Sequence, residues 1–219
     1  METDMQLNKL LNESGISFFL VQSGEQANRV VSAIHHAPAG ISNLPCERHK
    51  VSDESVGYIA LTIATNLKSS LIIASNYFLD INKPDPSVKN REENTDYLTW
   101  LSHNRPQILV EIHGHSGENA KADIEISSGK HRQAISKDFA QKLQKYAKQH
   151  HFKRNYSISG DYDTIYYKAS EAVTINTNNW LAFHIELCPE LRKDNKEANK
   201  IAKCISLTLK EILSEGNHE

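Results

Sequence analysis

The chain is poor in cysteine, in long apolar runs and in excess charge of either sign. Three of its 219 residues are cysteine, Cys46, Cys188 and Cys204, and they form neither a CxxC pair nor an even set. A disulfide framework and a cysteine-rich zinc module are therefore excluded, and a reducing, cytoplasmic setting is expected. No apolar run is long enough to span a bilayer. The opening "METDMQLNKLL" lacks a basic segment leading into an apolar core, so no signal peptide is expected. The formal net charge of -2 gives no pull toward nucleic acid or an anionic membrane. No internal repeat or low-complexity linker divides the sequence, and its length suits one large domain over 1–219.

What is present is an ordinary globular balance, 39% hydrophobic and 24% charged, with 11 histidines that ask for an explanation. His131, His150, His151 and His218 fall in polar stretches and read as surface groups. His35, His36, His113 and His115 instead end apolar runs.

Periodicity divides most of the chain into alternating strands and helices. Strands are predicted at 16–22, 29–37, 69–77, 107–113 and 180–187, and a half-exposed, alternating strand at 122–127. Helices are predicted at 4–13, 53–67, 91–103, 137–150 and about 193–214. In the 53–67 helix, Val56, Ile59, Ala60, Ile63, Ala64 and Leu67 make one apolar face. "DINKPDP" reads as a loop, and 160–179 as a long segment between regular elements, of the kind that covers substrate. The alternation argues for a three-layer αβα sandwich around a mixed, mostly parallel sheet.

In open sheets of this kind, functional groups collect beyond the carboxyl ends of the strands. His35 and His36 end one strand, Asp53 and Glu54 open the next helix, His113 and His115 end another strand, and Glu186 lies near the end of "WLAFHIEL". Two imidazoles and a carboxylate make a catalytic zinc shell that leaves one position for water. A further carboxylate must then accept the proton of that water. His36, Asp53 and His113 are accordingly expected to ligate one zinc ion, with Glu186 as general base. Asp53 serves equally well as a helix N-cap or first-turn acid. Glu186 stands in an apolar strand, where an unpaired carboxylate is costly, and Arg192 is its simplest ion-pair partner. His184 shares a strand face with Glu186 and is read as a satisfied core histidine.

These segments, in this order, resemble the N-formylglutamate amidohydrolase family of the zinc carboxypeptidase-like superfamily. "SAIHHAPAG" is similar to the strand that ends in the family's ligand histidine, which the register places at His36. "DESVGYIALTIA" is similar to the segment that opens on the acidic ligand, placed at Asp53 in preference to Glu54. "EIHGHSGENAKADIEIS" carries the third ligand at His113, and "AFHIELCPELR" the catalytic glutamate at Glu186. "YFLDINKPDP" is similar to the family's substrate-carboxylate loop, which implies that Asn82 and Lys83 bind substrate, with Arg192 as a source of the guanidinium that Lys83 replaces. The resemblance covers about residues 29–190. "HHAPAG" lacks the His-x-Gly of many relatives, so His35 stays open as the ligand. A lysine also cannot grip a carboxylate bidentately as arginine does.

The implied activity is zinc-dependent hydrolysis of the amide bond of a small carboxylate-bearing acylamino acid, or of a peptide chain such as a γ-glutamyl polymer. Two other classes remain. One is a binding module that kept the fold without catalysis. The other is a cysteine hydrolase pairing Cys188 with His184, around which no activating motif stands.

Overall fold

The computed structural model describes residues 2–45, 50–76 and 96–215. Eight strands form one sheet in these residues. They are β1 (Phe18–Gln22), β2 (Gln26–Ala37), β3 (Asp53–Glu54), β4 (Ser69–Ser75), β5 (Ile108–Gly114), β6 (Ile124–Ser127), β7 (Ile158–Ser159) and β8 (Leu181–Leu187). The helices are α1 (Glu2–Leu11), α2 (Val56–Leu67), α3 (Asp96–Asn104), α4 (Gln133–Gln149), α5 (Pro189–Lys193) and α6 (Asn195–Glu215).

The spatial order is β1-β4-β2-β5-β8-β6-β7, with β3 beside β2. β4, β2, β5 and β8 run parallel, while β1 and β6 pair antiparallel with β4 and β8. The expected mixed, mostly parallel sheet in an αβα sandwich is thus present. β5 is buried at every position, which is why it reads as a continuous apolar run: it lies in the middle of the sheet and is covered on both faces.

The two faces are clad differently. On one, Val31, Val110, Phe183 and Ile126 pack against Ile63 of α2, Phe139 of α4 and Ile205 of α6. On the other, Val30, Ile34, Leu109 and Ala182 meet Tyr97 and Leu101 of α3, then Ala172, Ile175 and Trp180. The segment 160–179 is therefore a packed wall that stands where a helical layer would otherwise lie. It also explains one misreading. β6 alternates in sequence but is wholly buried, because this wall covers the face on which Glu125 and Ser127 stand.

Two local departures shape the rim. Pairing of β2 with β5 ends at Ser32, and β3 pairs with the last residues of β2, placing Asp53 opposite His36. Asp53 is therefore a strand residue and not a helix cap. The chain turns into α2 at Ser55, which takes the left-handed conformation at φ 67°. Along β2 the pairing with β4 slips between Ala33 and His36, three residues on β2 facing two on β4. Such a bulge breaks the period of two and re-aims the side chains that follow.

Candidate metal centre

The carboxyl ends of β2, β5 and β8 deliver a buried cluster to one face of the sheet. Simple alternation would put His36 on the same face as Ile34. The bulge puts His35 there instead. Nδ1 of His113 lies 2.8 Å from Asp53 Oδ2, and Nδ1 of His35 lies 3.6 Å from the same oxygen. His35, Asp53 and His113 can bring one ligand atom each within 4.8 Å of one another.

His36 takes the opposite face. Its Nδ1 accepts the Gly57 backbone N–H at 3.2 Å, and its Nε2 lies 3.1 Å from the Leu11 carbonyl oxygen. Burial lowers its pKa to about 4, which keeps the ring neutral. The expectation that His36 is a metal ligand is therefore corrected: both of its nitrogens are engaged by backbone on the helical side, and His35 stands where that ligand was sought.

Glu186 pairs in register with His113, so both side chains leave the same face. Its Oε1 is 3.5 Å from His184 Nε2. Its Oε2 is buried without a hydrogen-bond partner among the described residues. Burial, reinforced by the charge of Asp53, raises its pKa to about 8. Asp53 behaves oppositely. Burial works against its ionisation, but the hydrogen bond to His113 and the nearby imidazole of His35 outweigh it and hold the carboxyl below the usual range. For His113, burial favours the neutral ring, and the hydrogen bonds to Asp53 and Glu111 overcome it and raise the pKa. His113, His184 and Glu186 form a second group whose donor atoms converge within the same limit.

Two side chains of this cluster escaped the sequence reasoning. Glu111, with no exposed surface, places Oε2 3.3 Å from His113 Nε2. A carboxylate inside "LVEIH" was the available signal, on the same ground that singled out Glu186. His184 was read as core, yet it lines the cavity and its ring lies 4.3 Å from that of His113.

The cluster forms the floor of a cavity of about 480 Å³, whose walls include Lys50, Val51, His115, Asn119 and Tyr167. Tyr167 stacks on His115 at 5.5 Å between centroids. Buried Glu125 pins both walls: Oε1 accepts the backbone N–H of Lys121 and Ala122, and Oε2 those of Tyr166 and Tyr167.

The substrate-binding expectations fare differently. Asn82 and Lys83 lie outside the described residues. Arg192 is buried, and it donates to the carbonyl oxygens of Leu187, Glu54 and His115 at 3.0, 2.7 and 3.0 Å. Its role as a substrate ligand is corrected, since these N–H groups tie β8, β3 and the end of β5 together. Gly114 makes room for it: a Cβ there would lie 2.4 Å from the guanidinium carbon. The cysteine-hydrolase reading also falls. Cys188 packs in the core on the helical side, away from the face of His184, and burial pushes its thiol up to about 11.

The donor set fits a divalent cation. Asp53, Glu111 and Glu186 are three carboxylates at 7% exposure or less. One buried imidazolium at His113 would not offset the ionised Asp53 and Glu111 together, and one Glu186 oxygen has no partner among the described residues. Two imidazole nitrogens and a carboxylate oxygen around one point suit zinc.

No family model matches the chain, and no curated protein does. Solved structures do. The gene product Atu2144 from Agrobacterium tumefaciens is similar at TM-score 0.56 and 13% identity, over 91% of this chain and 96% of that one. The CwlD amidase from Clostridioides difficile, solved with the GerS lipoprotein, is similar at TM-score 0.50 and 17% identity, over 85% and 98%. The N-acetylmuramoyl-L-alanine amidase AmiC2 of Nostoc punctiforme aligns at TM-score 0.47 and 13% identity, over 88% and 99%. At these identities the likeness is one of fold. It corrects the resemblance to N-formylglutamate amidohydrolases: that family's model does not match, and the fold likeness runs to an amidase of another kind.

Proposed function

We propose that the chain is a zinc-dependent amidase that hydrolyses an amide bond in peptidoglycan-type substrates, between a sugar-linked acyl group and an amino acid. The observation that carries this reading is the convergence of His35, Asp53 and His113 within 4.8 Å. Beside them is a buried carboxylate oxygen of Glu186 that has no hydrogen-bond partner among the described residues. The amide chemistry follows the amidase of similar fold, and the peptidoglycan-type substrate follows the name N-acetylmuramoyl-L-alanine amidase that other aligned structures carry. The finer kinship with carboxypeptidase-like zinc hydrolases belongs to the same reading.

His35, Asp53 and His113 would hold the metal. Bound zinc supplies an acidified water and a polarised carbonyl. Glu186 takes the proton of the attacking water and returns it to the departing nitrogen, which requires a carboxylate that changes protonation near neutral pH. Asp53 differs: its hydrogen bond to His113 and the nearby imidazole of His35 keep it ionised, as a ligand must be. Tyr167 and His115 form an aromatic wall against which a substrate can lie. Lys50 supplies the positive charge among the described residues lining the cavity, suited to a substrate carboxylate.

The test is release of free amino groups from an N-acetylmuramoyl-L-alanine peptide by protein carrying zinc. Activity lost on chelation and restored by zinc supports the reading. Stoichiometric zinc without release from this or related acylamino substrates would leave a metal-binding module.

A further inference from the structure

We infer that Glu111 is a positioning residue for this metal centre, one that receives the Nε2–H of His113 and so turns the Nδ1 of that ring toward the metal, with Tyr97 and Ser32 holding Glu111 in place. The inference rests on the metal-centre reading above and assigns the inner side of the site.

The geometry is two-sided. His113 presents Nδ1 to Asp53 Oδ2 at 2.8 Å and Nε2 to Glu111 Oε2 at 3.3 Å. Glu111 and His113 are two residues apart on β5, so they share a face. The second oxygen of Glu111, Oε1, accepts the Tyr97 hydroxyl at 2.7 Å. The Tyr97 oxygen lies 2.9 Å from Ser32 Oγ. Tyr97 has one hydroxyl proton and gives it to Glu111, so Ser32 is the donor in that last contact. The chain of bonds thus runs from Ser32 through Tyr97 to Glu111, which His113 meets from the other side. Three elements build it. Ser32 of β2 stands opposite Glu111 of β5 in the sheet register, and Tyr97 descends from α3.

Burial makes the arrangement specific. Ser32, Tyr97 and Glu111 have no exposed surface and His113 has 2%, so water does not replace a missing partner. A carboxylate in a core strand is expensive unless its oxygens are engaged. A purely structural network at this place would be complete with Ser32, Tyr97 and any acceptor. Directing the second oxygen at a proposed metal ligand is what a carboxylate behind a metal-bound histidine does: it fixes the tautomer and the ring orientation.

The experiment compares zinc dissociation constants, by chelator competition, of the full chain, Glu111→Gln and Tyr97→Phe. It adds the proton signal of the His113 Nε2–H in zinc-bound, 15N-histidine-labelled protein. Glu111→Gln is expected to bind zinc about 10- to 100-fold more weakly and to shift or lose that signal. Tyr97→Phe should weaken zinc in the same direction by a smaller factor. Equal affinity and an unchanged signal in folded Glu111→Gln would overturn the role of Glu111 and leave the metal centre standing. If Glu111→Gln does not fold, Tyr97→Phe decides, and unchanged zinc affinity there overturns the proposal. Failure of the unaltered chain to take zinc would overturn the metal-centre reading itself, and this inference with it.

Discussion

His35 and His36 are neighbours in sequence, both buried at 4% exposure or less, and they belong to different regions of the molecule. His36 faces the helical layer, where backbone groups of Leu11 and Gly57 occupy its two nitrogens. His35 faces the cavity, where its Nδ1 and that of His113 point at one oxygen of Asp53. Burial is common to both and so distinguishes nothing. What distinguishes them is the company: backbone around His36, carboxylates and imidazoles around His35. One extra residue in β2 separates a structural histidine from a candidate ligand.

The largest effect expected on the cavity side is at Glu186. Glu186→Gln should keep zinc and lose turnover by about 10²- to 10⁴-fold, the usual worth of a positioned general base. Full activity in a variant of normal zinc content would move the base elsewhere. Next comes Asp53→Asn, which removes the shared charge facing two histidines. Zinc content measured by elemental analysis should fall from near-stoichiometric to trace.

The helical side should respond in stability and not in metal. His36→Gln leaves backbone groups of Leu11 and Gly57 poorly served, at a cost of about 1–3 kcal/mol by urea unfolding, with zinc content unchanged. The same contrast has a pH signature. The folded state holds His36 neutral, with a pKa of about 4 against an unfolded value of 6.5. Its contribution is therefore present above pH 6.5 and lost as pH falls toward 4. Relative to His36→Gln, the unaltered chain should lose on the order of 3 kcal/mol across that window. A constant difference between the two proteins would show that this histidine is not held neutral. The smallest effect is expected at the mouth of the cavity: Lys50→Ala should raise KM for a carboxylate-bearing substrate about 2- to 5-fold with kcat unchanged, as befits an exposed charge.

Much of the fold was legible because long elements repeat their signals. The stripe from Val56 to Leu67 and the run "ILVEIH" announce a helix and a central strand from composition and period alone. Short or covered elements were not legible. β3 is two residues long and forms only because β2 parts from β5 after Ser32. β6 alternates as an exposed strand would, and its polar face is buried by a segment some forty residues further along the chain. On the site, strand ends pointed to His113 and Glu186 and an expected helix start to Asp53, and the structure gathers all three on one rim. The motif register of "SAIHHAPAG" points to His36 and not His35, because the bulge in β2 that turns His35 toward the cavity has no sequence signature of its own. Glu111 went unnoticed although its setting repeats that of Glu186, an acid inside a core strand. Arg192 was assigned to substrate because a free guanidinium and one bound to three carbonyls look alike in sequence.

The most direct test of the central contrast is the zinc content of His35→Ala and His36→Gln, purified side by side with the unaltered chain and checked for folding by circular dichroism. Zinc lost from His35→Ala and retained near one per chain in His36→Gln is the result predicted. Zinc retained in His35→Ala and lost from folded His36→Gln would contradict it.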